Sequence, residues 1–493
     1  MLSCRQTLFD FIARKGTTMA NTALPGNPRY QPKDLVAFFG YDNLARTLVE
    51  VELAALRTLG DALVIKEVDI ALLTPEIEAK LLAITMSEVD KVEREITKHD
   101  IRALVRLMQE IMPVPLRRWV HVPLTSYDVL DTARALQFVR AHEGVVRPKA
   151  HAVIECFRVQ AMRHADEVQI GRTHGQHALP VTVGFWFATV LNRVLFNTQQ
   201  ANLYAKGLVG KISGAVGAYN AQAELGITGR SGIIFEDRVL ERLGLKPAPI
   251  STQILPPEPL AYYLYSCLML SASLAQFGRD SRHLMRTEIG ELAEPFEKGQ
   301  VGSSTMAHKR NPLNFENLEG MWVKNKNEFG KVLDTIISEH QRDLVGSSPA
   351  RDFPTLIVNL TYQFDTLLRP GKDGTPFLGR LVVDTEACRR NLHKQGDIIL
   401  AEPFYLALQM YGYEGDAHEV INHKAMPMVG VNARTLYEAV EQVTHLEPDL
   451  EAAWKKIPKD VLKFLRDPAN YVGRAQEKVW QICETAEDYL KQS

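Results

Sequence analysis

The sequence contains little cysteine, and its five cysteines form neither a CxxC pair nor a spacing typical of disulfides. We therefore expect buried, reduced thiols in a cytoplasmic protein. A zinc motif is lacking as well. His174 and His177 form an HxxH pair, which alone is a weak metal signal, and HExxH is absent. This composition predicts that the protein holds no metal ion.

Charge of one sign is not concentrated anywhere in the chain. The 57 lysine and arginine residues nearly balance the 59 aspartate and glutamate residues, and the formal net charge is -2. Because binding to nucleic-acid phosphates relies on clustered cations, this balance argues against a general nucleic-acid-binding protein.

Long uncharged runs are scarce too. Residues 260–278 lack charge and are numerous enough to raise the question of a membrane span. The run contains three serines and Gln276, however, and no second candidate exists. A helix that is apolar on all sides can instead be buried within a helical assembly, and we favour that interpretation.

The first 19 residues differ from the rest of the chain. They carry three basic residues and one acid, and Met19 could be a second start. An amphipathic targeting peptide is one interpretation of this segment. An over-extended reading frame or a loose tail is the other, and it is the one that we favour.

Strand-like alternation is rare, whereas helical periodicity is common. Leu44, Leu48, Val51, Ala55 and Leu59 fall on one helical face. The pattern predicts an all-α protein. Long helices are expected near 145–167, 185–206, 258–290, 313–340 and 354–368.

Two segments suggest domain boundaries. A helical region ends near Pro123–Ser126, and Arg369–Arg380 is rich in glycine and proline, as linkers are. These positions predict an uncertain extension over 1–19 and three helical domains over 20–124, 125–370 and 371–493.

The most informative stretch for chemistry is Gly302–Pro312, with the sequence GSSTMAHKRNP. Its glycine, serines and proline indicate a loop, and Lys309 and Arg310 give that loop positive charge. Such a loop can close over an anion and supply a hydroxyl group; the alternative is an ordinary basic surface loop. The segment resembles the signature loop of the fumarase/aspartase superfamily, GSSxMPxKxNP, with Ala307 in place of proline.

Other superfamily blocks follow the same order along the chain. Thr125–Ala133 resembles the block that binds substrate carboxylates, Gly171–Gly175 the block that holds an acid histidine, and Lys211–Asn220 the glycine-rich loop. Each block also has a structural interpretation. Thr125 and Ser126 could simply cap a helix, with Asp128 and Asp131 favouring its first turns, and the glycines could form a tight turn.

Several shorter motifs resemble the adenylosuccinate lyase branch of this superfamily. They are Arg29-Tyr30, Lys98-His99-Asp100, Ser251-Thr252-Gln253, Gln341-Arg342-Asp343 with Ser347 and Arg351, and the C-terminal run 467–475. The resemblance extends from about residue 27 to about residue 480. It implies a three-domain fold with a central long-helix bundle.

The resemblance also implies roles for individual residues. Ser303 would be the base, and Lys309 with the loop amides would activate it, because a free serine is far too weak a base. His174 would be the general acid, kept charged by Glu316. Substrate binding would use Arg29, Tyr30, Lys98, His99, Asp100, Thr125, Ser126, Gln253, Asn311, Arg342, Ser347 and Arg351.

The implied reaction is β-elimination of fumarate from adenylosuccinate, giving AMP, and from the succinylated imidazole carboxamide ribotide SAICAR, giving AICAR. It needs no cofactor. The resemblance further implies a homotetramer in which each active site draws on three subunits. Two alternatives stay open: another superfamily lyase, acting on argininosuccinate or a carboxymuconate, and a helical scaffold that has lost activity.

Overall fold

The computed structural model describes residues 21–296, 305–306 and 308–492. Helices dominate this part of the chain, which confirms the predicted all-α class. The chain divides into two compact units, made of 21–146, 201–265 and 326–359, and of 147–200, 266–325 and 360–492. The predicted boundaries at 124/125 and 370/371 stay predictions.

In the first unit, the periodic segment that begins near Leu44 forms the helix Tyr41–Asp61, as expected. Its buried face, with Leu48, Val51 and Leu59 at most 2% exposed, joins one apolar core with the other helices of the unit. Those of at least seven residues are Pro75–Leu81, Met86–Val92, Asp100–Ile111, Ser126–Ala141 and Phe235–Leu243. Short helices are Val36–Phe39, Glu67–Ile70, Val114–Arg117 and Asn220–Glu224.

The second unit contains the helices Arg147–Arg163, Thr385–Leu392, Ala401–Met410, Ala417–Glu419, Leu436–Thr444, Pro448–Lys456, Lys459–Arg466 and Ala475–Gln492. Aromatic rings link part of its core. Phe277 packs against Phe157 at 5.0 Å and against Phe315 at 5.9 Å between ring centroids, and all three are fully buried. Edge-to-face pairs of this kind add to the free energy of area burial.

Four further helices are Val183–Lys206, Glu258–Leu284, Leu313–Asp334 and Pro354–Leu368. They match the predicted long segments, but two end about six residues early. After Asp334, Ser338 and Asp343 instead bond backbone N–H groups of a turn, with Glu339 N–H donating to Asp343 Oδ2 at 2.8 Å. Such local side-chain bonds compete with helical ones.

The uncharged run 260–278 lies in the helix Glu258–Leu284, as predicted. Within the described part of the chain this is the one helix long and apolar enough to cross a membrane, and 56% of its most apolar window is buried. A mostly buried core helix of a soluble protein meets the same criteria of length and composition.

Strands are few and short. Val168–Thr173 and Gln176–Thr182 form an antiparallel hairpin, Val209–Gly210 pairs in parallel with Lys246–Pro247, and Leu292–Ala293 pairs antiparallel with Val382–Val383. The hairpin was not expected from the sequence, and it contains the GRTHG block.

Candidate active site

A cavity of about 840 Å³ opens in the first unit, where several of the sequence motifs meet. Nine of the residues that the resemblance marks for substrate binding line it: Lys98, His99, Asp100, Thr125, Ser126, Gln253, Arg342, Ser347 and Arg351. Arg29 and Tyr30 are not among its described lining residues. They lie in the short turn Pro28–Tyr30, which begins at Asn27.

The Lys98-His99-Asp100 motif lies where one helix ends and the next begins. Lys98 has a left-handed backbone with φ of 56°, and His99 is the N-cap residue of Asp100–Ile111. His99 Nδ1 lies 3.3 Å from Asp100 Oδ1, and Arg351 Nη2 lies 3.4 Å from Asp100 Oδ2. The Asp100 carboxylate therefore joins the Lys98-His99-Asp100 motif to Arg351.

Arg342 is held by contacts on three sides. Its guanidinium lies 3.5 Å from the centre of the Tyr127 ring, donates to Gln253 Oε1 at 2.9 Å and donates to the Asp343 carbonyl at 3.1 Å. A cation over an aromatic face is attracted by the ring quadrupole. These contacts fix the direction of the guanidinium before any anion arrives.

Asp343 shapes the turn that carries Arg342. Its carboxylate accepts the Glu339 N–H at 2.8 Å and the Val345 N–H at 2.7 Å. These backbone N–H groups lower the pKa of Asp343, because they bond to the charged form. The short helices that follow, Val345–Ser347 and Pro349–Asp352, bring Ser347 and Arg351 to the cavity.

Thr125 precedes the helix Ser126–Ala141 as its N-cap residue, as the structural interpretation of this block predicts. Its backbone N–H donates to Asp128 Oδ2 at 2.8 Å. The other oxygen of Asp128 accepts the ammonium group of Lys211, and both side chains are fully buried. Breaking such a pair by removing one partner typically costs about 3–5 kcal/mol of stability.

The glycine-rich loop 211–220 packs against the Ser251-Thr252-Gln253 motif. Ser213 Oγ lies 2.6 Å from Ser251 Oγ. Gly217 has a φ of 74°, and a Cβ atom there would lie 2.0 Å from the Ser251 carbonyl oxygen. Glycine at 217 is therefore required for this close approach. The structural interpretation of the glycines predicted a tight turn, whereas this packing against the Ser251 carbonyl was not predicted.

The cavity has an excess of positive charge. Among its described lining residues, Lys98, Arg134, Arg342 and Arg351 are cationic, whereas Glu93 and Asp100 are acidic. Arginine forks match carboxylate and phosphate oxygens, so the cavity is suited to an anionic ligand.

His174 lies in the second unit, at the tip of the hairpin. The pairs Arg172 with His177 and Thr173 with Gln176 leave a two-residue turn of His174 and Gly175, with φ values of 54° and 78°. Positive φ at both positions is the pattern of a type I′ turn. The turn exposes the His174 side chain.

A buried carboxylate holds this hairpin. Glu291, with no exposed side-chain surface, binds the Arg172 guanidinium through both oxygens at 2.6 and 3.0 Å. It also accepts from Gln169 at 2.7 Å and from Asn391 at 2.8 Å. Since Arg172 is two residues before His174, Glu291 fixes the base of the turn.

The described flanks of the signature loop also lie in the second unit, whereas Ser303 and Ala307 lie outside the described residues. Lys309 and Glu316 are exposed, and Asn311 is partly buried. Glu294, before the loop, accepts the backbone N–H groups of Asn314 and Phe315 at 2.8 and 3.0 Å. Burial raises the pKa of Glu294.

Metal-binding side chains do not cluster in the part of the chain that the structure describes: no group of three or more histidines, cysteines and acids could hold an ion there. Burial and the nearby Arg172 lower the pKa of His177, so its imidazole ring is protonated less readily than a free one.

Comparison with known proteins decides which lyase family of the superfamily the chain belongs to. The family model described as Lyase matches residues 42–324. The adenylosuccinate lyase of Archaeoglobus fulgidus is 33% identical over 95% of this chain and 99% of its own, and that of Pyrococcus horikoshii is 32% identical over 94% and 98%. The chain belongs to the adenylosuccinate lyase family.

Solved structures of the wider superfamily share its fold. The 3-carboxy-cis,cis-muconate lactonizing enzyme from Pseudomonas putida has a TM-score of 0.77 and 24% identity, covering 93% of this chain and 98% of that one. At this identity the likeness supports the fold alone. The family match, rather than these structures, shows that the chain is a lyase. Its substrate is a small molecule.

Some residues of the cavity were not singled out by sequence reasoning. Tyr127 and Arg134 line it, and Tyr127 supports Arg342. Tyr127 directly follows the quoted Thr125-Ser126 pair, and this position was the one indication in the sequence that it could line the cavity. The partnership of Asp128 with Lys211 had no signal, because the two residues are 83 positions apart.

Proposed function

We propose that this protein eliminates fumarate from adenylosuccinate to give AMP, and from SAICAR to give AICAR. The observation that carries the proposal is the convergence of the Lys98-His99-Asp100, Thr125-Ser126, Gln253 and Arg342–Arg351 motifs on one cationic cavity. Both substrates present an N-succinyl group and a ribose phosphate, which are the anionic groups that such a cavity can bind.

In this proposal the active site has two binding tasks, shared by residues of the cavity and residues outside it. Thr125, Ser126 and Gln253 hold the succinyl group, together with Lys309 and Asn311 of the signature loop. Arg29, Tyr30, Arg342, Ser347 and Arg351 hold the nucleotide, and Lys98, His99 and Asp100 the phosphate side. Orienting the substrate in this way lowers the entropic part of the barrier.

The chemical step needs a base, an acid and stabilisation of charge on a carboxylate. We assign the base to Ser303, activated by Lys309 and the loop amides, and the acid to His174. Glu316 keeps His174 charged. The substrate carboxylate stores the transient negative charge, so the reaction requires neither a metal nor an organic cofactor.

We further propose that the protein is a cytoplasmic homotetramer whose active sites each use residues of three subunits. The apolar helix Glu258–Leu284 supports this proposal, since it exposes Tyr262, Tyr265 and Met269, at 53%, 47% and 36%. Apolar side chains exposed along one long helix favour burial in an interface.

The test is to incubate the purified protein separately with adenylosuccinate, SAICAR and argininosuccinate, and to measure fumarate by chromatography. We expect fumarate from the first two, with AMP and AICAR as the other products. Fumarate from argininosuccinate alone would contradict the assignment. No turnover of any of the three would favour the inactive scaffold.

A further inference from the structure

One ion pair beneath the cavity is fully buried yet touches no ligand-binding surface. Asp128 and Lys211 have no exposed side-chain surface, and neither is among the described residues that line the cavity. Any influence on the ligand must therefore act through other residues.

The Asp128 carboxylate joins the start of one helix to a distant loop. Besides Lys211, it accepts the backbone N–H groups of Thr125 at 2.8 Å, Ser213 at 3.1 Å and Gly214 at 3.2 Å. A carboxylate has two oxygens and about four lone-pair sites, so it can accept hydrogen bonds from all four of these donors at once.

The loop is held to the same helix a second time. Lys211 N–H donates to Thr132 Oγ1 at 3.0 Å, and the Thr132 hydroxyl donates to the Lys211 carbonyl at 2.8 Å. The position of the Lys211 backbone is thus set independently of its charged end, and the ammonium group is directed at Asp128.

The chain of contacts continues to Gln253. Ser213 contacts Ser251 at 2.6 Å, two residues before Gln253, and Asp131 accepts the Leu255 N–H at 2.9 Å, two residues after it. Asp128 and Asp131 of one helix therefore bracket, directly or through the loop, the segment that carries Gln253.

We propose that Asp128 and Lys211 are positioning residues that align Thr125, Ser126 and Gln253 to hold the succinyl carboxylates. A buried ion pair is weak as a source of stability, because a neutral pair of similar volume is often as stable. Its role here is to fix positions. The Asp128 carboxylate holds both Thr125 and the loop that contacts the Gln253 segment, and both are proposed to bind the succinyl group. The inference rests on the proposed function.

The test compares a neutral double variant, Asp128→Asn with Lys211→Met, with the wild-type protein. The double variant avoids a lone buried charge and so should fold, as circular dichroism and thermal melting can verify. We expect fumarate to bind about tenfold more weakly by calorimetry, AMP to bind within about twofold of wild type, and kcat/KM to fall about 100-fold.

A matched control applies the same substitutions to Lys149 and Asp365, an ion pair of the second unit. We expect Lys149→Met with Asp365→Asn to leave fumarate binding unchanged. The inference is overturned if the folded Asp128/Lys211 double variant binds fumarate as wild type does, or if AMP binding falls as much as fumarate binding.

Failure of the proposed function would look different. A wild-type protein that binds fumarate and AMP but releases no fumarate from adenylosuccinate would sink the function, while the calorimetric comparison still decides the positioning role. A wild-type protein that binds no fumarate would overturn both. If the double variant fails to fold, Asp128→Glu replaces it, and unchanged fumarate affinity there overturns the inference.

Discussion

The two compact units present their candidate residues in different ways. In the first unit, nine residues from four separate stretches of sequence line one cavity, and their side chains contact one another. In the second unit, His174, Lys309 and Glu316 are exposed, on a hairpin tip and beside a loop. The residues proposed for binding are thus assembled within one chain, whereas His174, Lys309 and Glu316 face away from it.

Both regions nevertheless rely on the same device, a buried carboxylate behind the presented residue. Asp128 fixes the turn at Thr125, and Glu291 fixes the hairpin of His174. The two regions therefore differ in what their residues face and not in how they are held. If active sites are shared between subunits, the general acid must be accessible to another subunit, and His174 is exposed.

The largest expected effect is on the groups proposed for chemistry. His174→Ala and Ser303→Ala should each lower kcat about 10²–10⁴-fold while AMP still binds, because loss of a general acid or base has that range. Steady-state assays with calorimetry of AMP binding measure both. Mixing the two inactive variants should restore part of the activity; if no mixture is active, the sites are not shared.

Removing the support of the hairpin should act mainly on stability. Glu291→Ala leaves the partly buried Arg172 guanidinium without its partner, and breaking a buried pair in this way typically costs about 3–5 kcal/mol. Denaturant unfolding measures this loss. Glu386→Ala is a suitable control, since the Glu386 side chain is exposed. Equal unfolding free energies for the two variants would mean that Glu291 does not hold the hairpin.

A change in the cavity should affect binding more than the chemical step. Arg342→Ala removes the contact with Tyr127 and the hydrogen bond to Gln253, and a hydrogen bond to a charged group contributes about 1.5–3 kcal/mol. We expect KM for adenylosuccinate to rise about 10- to 100-fold with a smaller change in kcat. A fall in kcat with unchanged KM would place Arg342 in the chemistry.

The smallest effect concerns pH. Backbone N–H groups depress the folded-state pKa of Asp343 below its unfolded value, so its stabilising effect is complete above the unfolded value of about 3.9. It is lost as the pH falls through the folded pKa. The stability difference between wild type and Asp343→Ala should therefore shrink from pH 6 to pH 3. A difference independent of pH would exclude this cause.

Local sequence was sufficient to predict much of the fold, whereas the resemblance to a known family supplied the residues around the cavity. The 3.6-residue period predicted the helix Tyr41–Asp61, and the Thr125-Ser126 pair predicted the start of Ser126–Ala141. These features depend on neighbours within a few residues, which a sequence displays directly.

What local sequence could not predict are the contacts between distant positions. Lys211 meets Asp128 across 83 residues, and Glu291 meets Arg172 across 119. The hairpin was missed for a related reason. Its short strands contain a bulge near Gly171 that interrupts regular alternation, and its turn has histidine where asparagine or aspartate is more common.

The approach of Gly217 to the Ser251 carbonyl has a consequence for mutational tolerance. Gly217 and Gly175 have nearly the same φ, yet a Cβ atom at 175 would meet no atom within 4 Å, whereas one at 217 would overlap the backbone. In a library of single substitutions, position 175 should accept asparagine, which adopts left-handed φ with little strain. Position 217 should accept nothing, alanine included. A homologue with any side chain at this position must have moved its glycine-rich loop, and that single letter then marks a chain whose Ser251-Thr252-Gln253 segment is packed differently.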